Sequence, residues 1–226
     1  MLGTIVNAAA VLIGGGVGLL LKRGLPKRVS DAIMGGVALL VTYVGIDGVL
    51  DGQKTIVAVL SMVVGAAIGS WIDIDAGLTR LGAFAEKRLN AGREDSRLAE
   101  GFVSASLLFC VGAMAVVGAL NSGLSGNHDI LFAKALIDGV TACVLASTLG
   151  AGVLLSALAV FVYQGAIALL ASALAPVLSD AVVAEMSCVG SLLIIGIGLN
   201  MLNVTKLKLA NYLPAIILPI LFCRLF

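Results

Sequence analysis

Apolar runs about as long as a bilayer core is thick recur along this chain of 226 residues, and they constrain its fold more than any other feature. Eight can be read, at residues 2–21, 32–50, 55–72, 102–120, 131–148, 153–173, 181–202 and 208–225. A helix rises about 1.5 Å per residue, so each run crosses or nearly crosses a hydrocarbon core of about 30 Å. In lipid no water is available to the backbone, so such runs must be helices that bond internally. Charge leaves no other choice. Charged residues make up 12% of the chain, hydrophobic residues 60%, and mean hydropathy is +1.14. A soluble domain carries about 25% charged residues. The expected fold is therefore all-α: one transmembrane domain over residues 1–226, a polytopic bundle of about eight spans. The run from Ile130 to Ala173 is too long for one span, and Leu149-Gly150-Ala151-Gly152 is the break at which a tight hairpin fits.

Basic residues orient the bundle. Positive charge collects on the cytoplasmic side of membrane proteins. Met1–Leu21 has no Lys or Arg, and Lys22, Arg23, Lys27 and Arg28 follow it. A signal peptide carries its charge in the opposite order. The first run thus reads as a retained span with its N-terminus outside. Alternate loops then hold Arg80, Lys87, Arg88, Arg93 and Arg97, and later Lys206, whereas the outer loops hold Lys54. Both termini are expected outside. Residues 73–100 place Ile74, Leu78, Leu81, Ala85 and Leu89 at helical spacing between basic residues, the pattern of an amphipathic helix lying on the cytoplasmic membrane face.

Leu-Pro-Lys-Arg-Val-Ser-Asp-Ala at 25–32 resembles Ala-Pro-Val-Leu-Ser-Asp-Ala at 175–181, and each follows one apolar run and precedes two more. Gly45-Ile46-Asp47-Gly48 then falls opposite Gly196-Ile197-Gly198-Leu199. Spans 1–3 and 6–8 would be inverted copies, an architecture recurrent in transporters, which bind their solute at the repeat interface.

Ionisable groups inside spans are costly and usually face protein or water. Lys134 and Asp138 sit one helical turn apart and can pair, with Thr141 continuing the stripe. The structural reading is an ion pair that locks span 5 to its neighbours; the functional reading is the polar centre of a solute or ion path. Asp47 and Glu185 lie near helix ends, where interfacial solvation accounts for them, and they approach from the same side as Asp138, so the geometry allows a shared outward vestibule. Asn7, Gln164 and Asn200 extend the polar path, or else bond between helices. Gly14 with Gly18, and Gly65 with Gly69, allow close helix approach, and Pro214 and Pro219 should kink the last span.

Enzyme signatures are missing: there is no His-Glu-x-x-His and no Gly-x-Ser-x-Gly, and His128 stands alone in an outer loop, where a solvated turn accounts for it. No enzyme activity, cofactor or metal is expected. Cys110, Cys143, Cys188 and Cys223 lie in apolar runs and read as packing residues. Net charge of +1 gives nucleic acid nothing to bind. The expected partners are membrane lipid, a small solute or ion, and further copies of the chain.

Five stretches taken together resemble a known family. They are Gly3-Thr4-Ile5-Val6-Asn7, Phe109-Cys110-Val111-Gly112-Ala113-Met114, Lys134-Ala135-Leu136-Ile137-Asp138-Gly139, Ala146-Ser147-Thr148-Leu149-Gly150 and Tyr163-Gln164-Gly165. The chain resembles the YqgA-like family of prokaryotic inner-membrane proteins, domain of unknown function 554, over essentially its whole length. The resemblance implies a protein of the prokaryotic cytoplasmic membrane and brings no substrate or functional residues. Three functions fit the residues: a secondary transporter or ion-coupled carrier of a small solute, an oligomeric channel or pore built on the glycine faces of spans 1 and 3, and a structural or regulatory membrane protein that transports nothing.

Overall fold

The computed structural model describes residues 1–22, 27–77, 80 and 98–225, and among the described residues there is no strand. The helices are α1 (Leu2–Lys22), α2 (Lys27–Val49), α3 (Thr55–Ile72), α4 (Leu98–Cys110), α5 (Ala113–Leu124), α6 (Asp129–Leu149), α7 (Gly152–Leu169), α8 (Ala171–Leu174), α9 (Asp180–Met201), a 3-10 helix η1 (Leu209–Ile216) and α10 (Pro219–Phe222). The amphipathic helix expected within 73–100 falls mostly on residues 78–79 and 81–97, outside the described residues.

Six helices, α1, α2, α3, α6, α7 and α9, are long and apolar enough to cross a membrane, and α4 with α5 would make a seventh. That corrects the expectation of eight at two places. The run 102–120 is not one straight helix: α4 and α5 meet at 61°. The cause is local. Gly112 adopts φ 112°, a conformation L side chains avoid, so the ladder stops at Cys110 and restarts at Ala113. The run 208–225 is not among the six either. Pro214 lies inside η1 and Pro219 opens α10. Proline has no N–H to donate, and its ring excludes the carbonyl four residues back. The chain takes the tighter i→i+3 pattern instead, with Ile217 N–H donating to the Pro214 carbonyl at 3.2 Å. Leu209–Phe222 is 14 residues long, short of the 18 or more in each of the six long helices.

The tight hairpin expected at Leu149–Gly152 is present. Gly150 takes φ 84°, and its N–H closes α6 on the Ala146 carbonyl at 3.0 Å. Residues 150–151 therefore suffice to turn α6 into α7.

Helix α9 is the axis of the bundle, with 78% of its span buried against 22% for α2 and α3. It runs antiparallel to α2: Gly198 meets Thr42, Gly45 meets Ile195, Gly48 meets Ser191 and Gly52 meets Cys188. Helix α3 lies antiparallel to η1, Gly65 on Ala215 and Gly69 on Asn211. Helix α1 runs parallel to α6, where a Cβ on Gly14 would land on the Gly139 carbonyl and one on Gly18 on that of Cys143. Val11, Phe109, Leu145, Val153, Leu193 and Ile197 close the core between these pairs. The outside is apolar: Trp71 is 91% exposed, Leu136 75% and Val140 68%. Water would penalise that surface at roughly 25 cal/mol per Å², whereas acyl chains cover it at no such cost.

Candidate functional site: a buried polar node across three helices

Helix α6 is built inside out. Its outward face carries Leu136 and Val140, while Lys134 and Asp138 lie on the buried face at 6% and 3% exposure. The two are one turn apart, and Lys134 Nζ donates to Asp138 Oδ1 at 2.9 Å. The close parallel approach of α1 brings Asn7, fully buried, to the same level. Asn7 Nδ2 donates to Asp138 Oδ2 at 3.0 Å and to Gln164 Oε1 of α7 at 3.3 Å. Four residues from three helices thus form one hydrogen-bonded node. Each carboxylate oxygen has a donor, which is what a buried charge needs to remain ionised.

The node is not fully satisfied. Asn7 Oδ1, Gln164 Nε2 and the hydroxyl of Thr4, one turn before Asn7, are buried without a partner. An unpaired buried polar atom costs about 1–3 kcal/mol, and such groups in native structures call for a water, an ion or a ligand. Beside the node lies a cavity of ≈ 180 Å³, lined by Val37, Val41 and Val44 of α2, Leu108 and Phe109 of α4, and Lys134, Asp138 and Thr141 of α6. The charged pair forms its polar end. The last turn of α4, just before the bend, forms part of its wall.

The other expected residues lie elsewhere. Thr141 lines the cavity but bonds its own helix, at the Ile137 carbonyl. Asp47 is exposed on the outer face of α2 beside Tyr43 and does not join Asp138. Asn200 folds the end of α9 onto the following loop, accepting from Thr205 Oγ1 at 2.7 Å and Leu207 N–H at 2.9 Å. Glu185 is 2% exposed rather than interfacial, and its Oε1 accepts the backbone N–H of Gln53 and of Lys54, both at 2.7 Å. It serves as a cap for α3 supplied by another helix, since Lys54 at the N-cap offers no side-chain bond. The shared vestibule for Asp47, Glu185 and Asp138 is therefore not formed.

Thr4 was not singled out from sequence, although its place three residues before Asn7 is a usable signal. His128 is half-buried and bonded to Ser122 Oγ at 2.9 Å. Among the described residues no cluster of His, Cys, Asp or Glu could hold a metal, and the four cysteines are free.

The node draws on α1, α6 and α7, and the family model for a protein of unknown function, DUF554, matches residues 2–224, taking in all of them. The chain belongs to the DUF554 family. It is 30% identical over 223 residues to the uncharacterized membrane protein YdfK of Bacillus subtilis, covering 97% of this chain and 94% of that relative. It is 29% identical over 221 residues to the uncharacterized protein YqgA of Escherichia coli, covering 96% and 94%. No solved structure matches the chain significantly. With the apolar helices above, the family relation makes this DUF554 member a multi-pass membrane protein.

Proposed function

We propose that this DUF554 protein is a secondary transporter or ion-coupled carrier of a small solute in the prokaryotic cytoplasmic membrane, with its N-terminus outside; the C-terminus, expected outside as well, would reach that side only if 208–225 crossed the bilayer. One observation carries the reading: an ion pair buried between helices, bridged to two further helices by amide side chains that keep unpartnered polar atoms, next to a helix interrupted within the bilayer run. Buried charge with spare hydrogen-bonding capacity is expensive in a membrane and marks solute or ion pathways. A discontinuous helix beside the site is the usual companion of a carrier site.

Two features support the reading further. Helix α1 runs antiparallel to α7, α2 to α9 and α3 to η1, as register contacts such as Asn7 with Gln164 indicate. Each member of the first triplet thus lies against its counterpart in the last, in the opposite direction. That is the arrangement an inverted repeat of spans 1–3 and 6–8 would produce. The basic residues Lys22, Arg23, Lys27 and Arg28, and later Lys206 and Lys208, fall at one level of the chain's alternation, with Lys54 at the other. The oligomeric pore has less to stand on, because Gly14, Gly18, Gly65 and Gly69 are spent on contacts within the chain.

The test is reconstitution in liposomes carrying a trapped pH-sensitive dye, challenged with a panel of ions, amino acids and organic acids. A carrier gives saturable, gradient-coupled uptake of at least one member, abolished by Asp138→Asn in protein that still inserts and folds. Single-channel conductance would favour the pore. Neither signal across the panel would leave the structural role.

A further inference from the structure

We infer that the charged pair and its cavity form a binding site for an amphipathic weak acid, a carboxylic acid with a short apolar tail that brings its own proton. The inference rests on the carrier reading for its purpose, but its geometry stands apart from it.

Hydrogen-bond capacity names the headgroup. An ammonium has three N–H donors, and that of Lys134 uses one, on Asp138. Lys134 lines the cavity, so its spare donors are the ones a ligand there can reach. Gln164 Nε2, Asn7 Oδ1 and the Thr4 hydroxyl are unpartnered too, but they lie outside the cavity's lining. The cavity's polar end thus offers spare ammonium donors, so it suits a ligand that brings acceptors. A metal cation fits poorly, because the ammonium already occupies the cation's place and both Asp138 oxygens are engaged.

Cavity shape names the rest of the ligand. Beyond the pair, the walls are Val37, Val41, Val44, Leu108 and Phe109. An apolar cavity of about 150 Å³ stays dry and accepts a benzene-sized molecule, and this one measures ≈ 180 Å³. Leu40, Val44, Ile137 and Val140 at its rim are exposed, so it opens toward the lipid-covered face between α2 and α6. A short acyl tail can enter from the bilayer with its acid undissociated.

Charge balance then fixes the binding step. An anion arriving alone would add net negative charge beside Asp138. An undissociated acid adds none. Its O–H bond breaks and the proton passes to an Asp138 oxygen. The Lys134 ammonium, released from Asp138, then pairs with the new carboxylate. Site and ligand together remain neutral throughout. The titratable groups facing Asp138 are Lys134 on its own helix and Cys110 on α4, with Tyr163 of α7 behind Cys110. Asn7 on α1 and the α2 wall bring no titratable group to the cavity.

The experiment is equilibrium binding of radiolabelled octanoate to the full-length protein in lipid nanodiscs, with empty nanodiscs subtracted and octanamide as the neutral control. Octanoate should bind saturably, octanamide at least about tenfold more weakly. Affinity should fall about tenfold per pH unit above the acid's own pKa, because one proton is taken up with the ligand. Asp138→Asn removes the proton acceptor, so its octanoate affinity should no longer vary with pH. Lys134→Met should lose at least about tenfold. If that variant does not fold, Lys134→Met/Asp138→Leu replaces it and should bind octanamide in preference to octanoate. Equal binding of acid and amide, a pH-independent wild type, or octanoate retained without Lys134 would each overturn the inference and leave a lipid- or water-filled gap. Octanoate bound but never moved in liposomes would count against the carrier reading alone. Uptake of another solute, with no octanoate bound, would count against this inference alone.

Discussion

Two carboxylates are buried among the described residues, Asp138 and Glu185, and they are stabilised in opposite ways. Asp138 has a cation at 2.9 Å and an amide at 3.0 Å, one on each oxygen. Glu185 pairs with no cation among the described residues. It spends Oε1 on two backbone N–H groups at 2.7 Å and leaves Oε2 unpartnered. Asp138 joins side chains of three helices beside a cavity, whereas Glu185 joins a helix to the start of another. The first arrangement can be rearranged by a ligand that competes for the lysine. The second is a tether: its donors are main-chain groups with nowhere else to go.

Removing one partner at each carboxylate should separate the two arrangements most sharply. Lys134→Met leaves Asp138 buried without its cation and should cost about 3–5 kcal/mol. Lys134→Met/Asp138→Leu removes both charges and should recover all but about 1 kcal/mol, read as thermal or denaturant unfolding in nanodiscs. No recovery in the double variant would mean that the pair does not act as a unit. At the other carboxylate, Glu185→Ala strands the N–H groups of Gln53 and Lys54 and should cost about 2–4 kcal/mol. Glu185→Gln keeps an acceptor oxygen and should stay within about 1 kcal/mol of the parent. If Gln were as damaging as Ala, the charge itself would matter and the tether account would fail.

The smallest effect concerns the walls that hold the node. A Cβ on Gly14 would strike the Gly139 carbonyl, which is backbone and cannot turn aside, while one on Gly16 would meet nothing within 4 Å. Gly14→Ala should therefore cost about 1–3 kcal/mol by pushing α1 from α6, and Gly16→Ala should fall within about 0.5 kcal/mol of the parent. Gly48→Ala, at the α2–α9 contact, meets the hydroxyl end of Ser191, a side chain that can rotate away. It should cost less than Gly14→Ala, and the reverse order would show that the α2–α9 contact is the stiffer one.

Much of the node could be read from sequence because polar residues in apolar runs stand out. Asn7, Lys134, Asp138 and Gln164 were all visible in this way, and the i, i+4 spacing already paired two of them. Glu185 was just as visible, yet its distance from the helix end suggested interfacial solvation. Its actual partners are N–H groups some 130 positions away in the chain, which no local pattern reveals. Asp47 looked equivalent to it and instead faces outward. The difference is helix rotation, set by Gly45 and Gly48 seating α2 on Ser191 and Ile195 of α9.

Membrane residence, the helical class and the positions of six long helices follow from composition and run length alone, because a bilayer tolerates only backbones that satisfy themselves. The hairpin at Gly150 follows equally, since a run from Ile130 to Ala173 has one place to turn. The main-chain amides that hold Glu185, the outward rotation of Asp47 and the cavity beside Asp138 were decided only by tertiary packing. They depend on how far each helix is rotated and how closely its glycines let it approach. Those quantities are set by contacts between residues far apart in the chain, and the spacing of residues along one run does not contain them.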